Sequence, residues 1–441
     1  MNFKDALKTH RCLSLQLSCR SIRHHDIITA MIKTFLCSLL LILCCPILFA
    51  AKKSAGKKTG IYASAPTFAR SRIEKADTLT ASGKYKSAWT ALGADDSDYI
   101  IAKKVDLCTK YFANTENYTS FAFKDLAKGE DLNTVRLNPG SLELIPYDVE
   151  KVVQDYVRQN GETGCTCYAL GTYYYEVLLL FGGNWIKTQD ELKSLAESNL
   201  KKAVDLGFYD ARTSQRYANL CMEANAYETA CTYYEKSLAL DGTNADVLYN
   251  YALSLISTGK YDKGVEYAAK AAAAYKDDRD FQLDAYILAV EGCMCMGDFA
   301  KAEKDLIRLK SEFPDSYLPD MKLGDVYVSQ RRLSEANEAY LASFKRNPEN
   351  MYWFYQTLGI YVNNNCIEEA ESLCRDALEA FSGNASVLGY LYVFLANVQI
   401  EAGKKTDALS SADEAEKYFA QAGITKFAES IEQIRQECLK K

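Results

Sequence analysis

Apolar and small residues recur along this chain at helical spacing, and one set of them also recurs at a much longer interval. Ala196, Ala230, Gly264, Ala302, Ala336, Ala370 and Ala408 are separated by 34, 34, 38, 34, 34 and 38 residues. Seven residues after each, two helical turns along the same face, stand Ala203, Ser237, Ala271, Leu309, Ser343, Ala377 and Ala415. A step of 34 residues is the length of one helix–turn–helix unit in which a small side chain lets two antiparallel helices approach closely. The pattern predicts an array of such units. The two longer steps predict four extra residues in a helix or a turn, with an altered local curvature.

The same reading extends to both ends. Ile73, Ala76 and Leu79, a turn at Gly83-Lys84-Tyr85, then Ala88, Trp89 and Leu92 predict one degenerate helix pair. Helical periodicity returns at Tyr99–Phe112 and Val149–Tyr156. The intervening Leu132–Pro146 shows only turn chemistry at Asn138-Pro139-Gly140. A final amphipathic helix with Phe427, Ile431, Ile434 and Cys438 predicts a cap on the exposed end of the array. The expected organisation is a leader over 1–50, a linker over 51–67, a helical region over 68–163, about seven units over 164–420 and a cap over 421–441.

The units also share residue types. Unit 317–350 has Leu323, Gly324, Tyr327, Ala336, Tyr340, Ser343 and Pro348; unit 211–244 has Ala218, Tyr227, Ala230, Tyr234 and Ser237. Unit 245–278 supplies Ala252, Gly259, Tyr261 and Ala271, and unit 283–316 supplies Gly297, Phe299, Ala302 and Pro314. On these residues the chain resembles the tetratricopeptide repeat family over 164–441, and weakly over 68–93. Two units depart from the pattern: Leu358-Gly359 is shifted by one residue, and about thirteen extra residues around Phe181–Glu191 precede Ala196. The resemblance implies an all-α, right-handed α-solenoid. Each unit alone buries too little apolar surface to fold, and stacking gives one continuous core and a concave groove lined by the first helix of each pair.

Composition fits a folded helical chain, with 48% hydrophobic and 25% charged residues and only 7 prolines. The first 50 residues hold six Lys/Arg and two Asp/Glu, so the rest carries 46 basic and 56 acidic residues, a net charge of −10. An acidic body argues against nucleic acid as the partner, because phosphate binding needs clustered cations. Lys33 followed by the apolar run Phe35–Ala51 reads as a cleaved export signal with Met31 as a possible start; a retained anchor is the alternative. Cys44 and Cys45 resemble a lipidation site only loosely, since Leu43 is large. Ala51–Pro66, with Lys52, Lys53, Lys57 and Lys58, reads as a flexible basic tether.

Chemistry is scarce. All three histidines, His10, His24 and His25, fall in the leader, which removes His-based triads and His-containing zinc sites from the rest. Gly56-Lys57-Lys58 lacks the upstream glycine and the Ser or Thr of a phosphate loop. Cys165/Cys167 and Cys293/Cys295 are two apart on helices, point to different faces and read as core thiols, not metal ligands. The acidic runs Asp95–Asp98 and Asp277–Asp280 read as turns that cap helices.

By analogy with the family, the concave positions are Tyr168, Tyr175, Gln215, Asn219, Tyr249, Leu253, Glu291, Asp325, Tyr352, Tyr390 and Asn397. Where relatives clamp a peptide carboxylate with lysine and asparagine, this chain has Gln215, Asn219, Asp246 and Asn250. The lining is aromatic and amide-rich instead, which suits an extended peptide or an apolar helix face. The expected function is a non-enzymatic protein-binding scaffold in a bacterial envelope, without cofactor or metal. The alternative is a structural component that assembles through its convex face or edges.

Overall fold

A computed structural model describes residues 60–348 and 350–440; the leader and most of the tether lie outside the described residues. The chain divides between Thr258 and Gly259 into two compact units.

In the unit ending at Thr258, α1 (Thr67–Ala81) and α2 (Tyr85–Leu92) form the degenerate pair. Helix α3 (Asp98–Lys110) follows, then β1 (Asn114–Glu116), β2 (Ser120–Ala122), α4 (Leu132–Leu137), β3 (Ile145–Pro146) and α5 (Val149–Asn160). Five further helices close the unit: α6 (Gly164–Phe181), α7 (Gln189–Asp205), α8 (Ala211–Glu223), α9 (Tyr227–Leu240) and α10 (Ala245–Ser257). A small antiparallel sheet is ordered β1-β2-β3, with Thr115 opposite Phe121 and Phe121 opposite Ile145; of the stretch Leu132–Pro146, which shows only turn chemistry in the sequence, the first six residues form the short helix α4 and the last two form β3. Asn117 and Tyr118 both have positive φ, +50° and +55°, as a tight hairpin turn requires. Tyrosine is costly in that conformation. Its ring is fully buried against Phe121, Tyr173 and Phe181 at 5.1, 5.6 and 5.5 Å, and that packing offsets the strain.

The unit from Gly259 runs through α11 (Tyr261–Ala274), α12 (Arg279–Cys295), α13 (Phe299–Glu312), α14 (Leu318–Ser329) and α15 (Leu333–Arg346). It continues through α16 (Met351–Asn363), α17 (Ile367–Ala380), α18 (Ala385–Glu401), α19 (Lys405–Gln421) and α20 (Ala428–Leu439). The two 38-residue steps are explained here. Helices α12 and α18 each have 17 residues, against 12 and 13 in α14 and α16. Each long step therefore adds one turn, about 6 Å, to a first helix. The insertion before Ala196 lengthens α6 to 18 residues and adds a 3-10 turn at Gly182–Asn184.

The small-residue ladder lies on the second helices and is entirely buried, with every alanine in it at 0% exposure. Where serine replaces alanine two turns further along the same helix, its hydroxyl satisfies a neighbour: Ser237 Oγ donates to the Ala211 carbonyl at 2.8 Å and Ser343 Oγ to the Tyr317 carbonyl at 3.0 Å. First helices approach equally closely. A Cβ on Gly324 would lie 2.3 Å from the Tyr340 ring, and one on Gly389 2.6 Å from Phe419.

Outside the α6–α7 pair, with its inserted 3-10 turn, most turns within pairs are made one way. The residue two before the second helix takes positive φ, and the next N–H reaches back to a carbonyl near the end of the first helix. Lys404 N to Gln399 O spans 2.8 Å and Arg332 N to Tyr327 O 2.9 Å, the Schellman closure. Glycine fills this place at Gly403 (φ +75°), whereas Asn225, Arg331 and Asn365 adopt it at +58°, +61° and +55°. At the far end Ile431, Ile434 and Cys438 of α20 pack on Ala408, Ala412, Ala415 and Phe419 of α19, leaving the outer face of α20 polar.

Candidate functional site

The expected groove residues sit on first helices, and the structure assigns them several different tasks. In the unit ending at Thr258, Tyr168 and Leu253 are 1% exposed. They are corrections to the expected groove, because neither can present its side chain to a ligand. Tyr168 donates its hydroxyl to Asp106 Oδ1 at 2.8 Å, and Tyr62 donates to Asp106 Oδ2 at 2.7 Å. Lys110 Nζ lies 2.5 Å from the same carboxylate. Burial alone would raise the Asp106 pKa; Lys110, Lys103 and the hydrogen bonds outweigh it and bring it down to about 2.

Asn219 is the centre of a second network. Its Nδ2 donates to the Tyr175 hydroxyl at 3.2 Å, and its Oδ1 accepts from Tyr234 at 2.7 Å and from Asn250 Nδ2 at 3.4 Å. One amide thus ties α6, α8, α9 and α10 together. Beside it Arg216 pairs with Glu176 and lies over the Tyr175 ring at 5.4 Å. Tyr175 is therefore largely buried, while Gln215, Asn219 and Tyr249 are half-buried on the same helical faces.

In the unit from Gly259, Glu291 of α12 and Asp325 of α14 meet at Lys322, whose Nζ lies 2.7 Å from Glu291 and 3.5 Å from Asp325. Tyr340 donates to the other Asp325 oxygen at 2.8 Å. Burial would lower the Lys322 pKa, yet its two carboxylates hold it above the ordinary value. Burial pushes Asp325 up, against Lys322 and Tyr340, which pull it down. Sequence reasoning missed Lys322. Its signal was there: it stands one turn before Asp325 and 31 residues after Glu291, close to one repeat. Tyr352 is 44% exposed. Tyr390 is half-buried against Phe419 and Phe427 at 5.3 and 4.9 Å, and Asn397 Nδ2 bonds the Val393 carbonyl of its own helix at 2.8 Å.

Among the described residues, no group of His, Cys, Asp and Glu could hold a metal ion. Ten cysteines are free thiols there, all buried except Cys295. Burial pushes the Cys167 thiol up to about 11, which makes it a poor nucleophile. The acidic runs do cap helices: Ser97 accepts from Tyr99 N, and Asp278 from Phe281 N. Gly56-Lys57-Lys58 lies outside the described residues.

Two family models described as tetratricopeptide repeat match residues 233–266 and 321–385. No curated protein matches. Among solved structures, yeast Tom70 is 15% identical, covering 86% of this chain and 82% of that one, with a TM-score of 0.37. A tetratricopeptide repeat protein from Parabacteroides merdae is 13% identical over 60% of this chain and 99% of its own, TM-score 0.37. Pseudomonas aeruginosa PilF is 16% identical over 53% and 99%, TM-score 0.35. Likenesses at this level do not distinguish one helical-repeat protein from another.

The Asp106 centre has a testable consequence. A carboxylate held near 2 when folded and near 4 when unfolded contributes about 2 kcal/mol of stability above pH 4. That contribution disappears as pH falls through 2. Acid unfolding followed by circular dichroism should show a shallower loss of stability between about pH 4 and 2 in Asp106→Asn than in the parent; equal slopes would refute the role. The buried ladder and the recurring turn give a predominantly helical repeat fold, in which residues 233–266 and 321–385 match tetratricopeptide repeat models.

Proposed function

We propose that the chain is a non-enzymatic scaffold, exported from the cytoplasm, that captures a polypeptide along the first-helix faces of its repeats. The observation that carries this reading is the row centred on Asn219. Hydrogen bonds between successive first helices fix amide and aromatic groups in place beside Gln215 and Tyr249, which are half-exposed. Groups held in this way lose little freedom on binding, so more of each contact appears as affinity. Tyr352, Tyr390 and Asn397 supply the same residue types in the other unit. Amide side chains bond an extended backbone, and tyrosine rings cover apolar side chains. Glu291, Lys322 and Asp325 add charge to that face, so the partner there carries polar groups.

Export rests on Lys33 and the apolar run Phe35–Ala51. N-terminal sequencing of the mature chain should read from Ala51 after signal removal; an intact start at Met1 or Met31 in an envelope-free fraction would refute export. Capture is tested with a photo-reactive residue placed at Gln215 or Tyr249, with Ile307 on the second helix α13 as the control. The same polypeptide, identified by mass spectrometry, should crosslink from both first-helix positions at least tenfold more than from Ile307. Crosslinking from Ile307 alone would overturn the groove.

A further inference from the structure

The insertion before Ala196 has no part in the repeat and leaves an apolar tip. Helix α6 runs past the length its pair needs and ends in Leu179, Leu180 and Phe181, followed by the 3-10 turn Gly182–Asn184, Trp185 and Ile186. Leu179, Leu180 and Ile186 are 62%, 48% and 89% exposed. The mounting below them is firm: Phe181 meets Trp185 at 4.8 Å and Tyr118 at 5.5 Å, and Tyr118 is wholly buried. Lys187, just beyond, is paired with Glu150 at 3.0 Å. A rigid, uncharged point carrying three bare aliphatic side chains beside a tryptophan has the composition of a segment that enters the membrane interface.

The path of the chain says which surface covers it. Tyr62, at the start of the described residues, and Tyr168, early in α6, bond the two oxygens of one carboxylate, Asp106. From Tyr168 to Leu180 the helix advances about 18 Å. The residues 51–59 between the apolar run Phe35–Ala51 and the described chain span up to about 30 Å when extended, and they include Lys52, Lys53, Lys57 and Lys58, which favour anionic headgroups. A bilayer that holds the apolar run is therefore within reach of the tip. We propose that, in the form that keeps residues 35–51, Leu179, Leu180 and Ile186 dip into the headgroup boundary of that bilayer and give the tether a second point of contact. Among the described residues no helix is long and apolar enough to cross a membrane, so the contact is superficial.

The full chain reconstituted into vesicles of phosphatidylethanolamine and phosphatidylglycerol with brominated acyl chains provides the test, read as tryptophan quenching. The other two tryptophans, Trp89, stacked on Phe123, and Trp353 of α16, are common to both chains, so the difference between the parent and Trp185→Phe isolates Trp185. The parent should show a quenched component that Trp185→Phe lacks. Leu179→Ser/Leu180→Ser/Ile186→Ser should reduce it at least threefold with unchanged circular dichroism. Ile186→Ser alone, in an exposed loop, should give a smaller reduction of the same sign and guards against misfolding of the triple variant. Absence of a Trp185-specific component, as a protein covering the tip would give, overturns the proposal, and so does quenching that the substitutions leave unchanged.

Discussion

The close approach of the two helices in each pair, enforced by a buried small residue on the second helix, is the constraint on which the rest depends. A larger side chain at Ala302, Ala336, Ala370 or Ala408 has nowhere to go, because each is completely buried between packed elements. Once two helices lie that close, the connecting turn has room for only a few residues, and one of them must enter the left-handed region. The recurring closure from the N–H after that residue back to the first helix follows from the same geometry. Where the spacing permits a hydroxyl, serine uses it to satisfy a carbonyl that the ladder would otherwise leave bare.

The polar residues are organised by burial as much as by any ligand. Asp106, Asn219 and the Glu291–Lys322–Asp325 set each join elements far apart in sequence. A buried carboxylate or amide is costly unless every strong hydrogen-bonding position is matched, so such groups specify which helix faces meet. In the proposed capture of a polypeptide, the same fixing of Asn219 readies it for recognition. A side chain already fixed by its neighbour needs little further ordering when a partner arrives.

The ladder was legible in the sequence because the steric demand repeats identically and admits only two or three residue types. The long steps were legible as four residues, but not as helix extensions, since a helical turn and a four-residue loop insertion have the same length. The hairpin at Asn117-Tyr118 was not legible. Tyr118 adopts positive φ only because Tyr173 and Phe181, more than fifty residues away, bury its ring. Arg331 likewise carries no glycine signal for its turn. Of the residues expected to line a groove, Gln215 and Tyr249 are half-buried and Tyr352 is exposed, whereas Tyr168 and Leu253 are buried by α3 and by neighbouring helices that the spacing within one helix cannot reveal.

The most direct test of the account compares two substitutions on one helix. Ala370 and Ser372 both lie in α17, the first at 0% exposure and the second exposed. Urea unfolding of Ala370→Leu should show a loss of about 1–3 kcal/mol from overpacking the helix contact. Ser372→Leu should stay within about 0.5 kcal/mol of the parent. Equal stability of the two variants would contradict the claim that close approach at the ladder holds the repeats together.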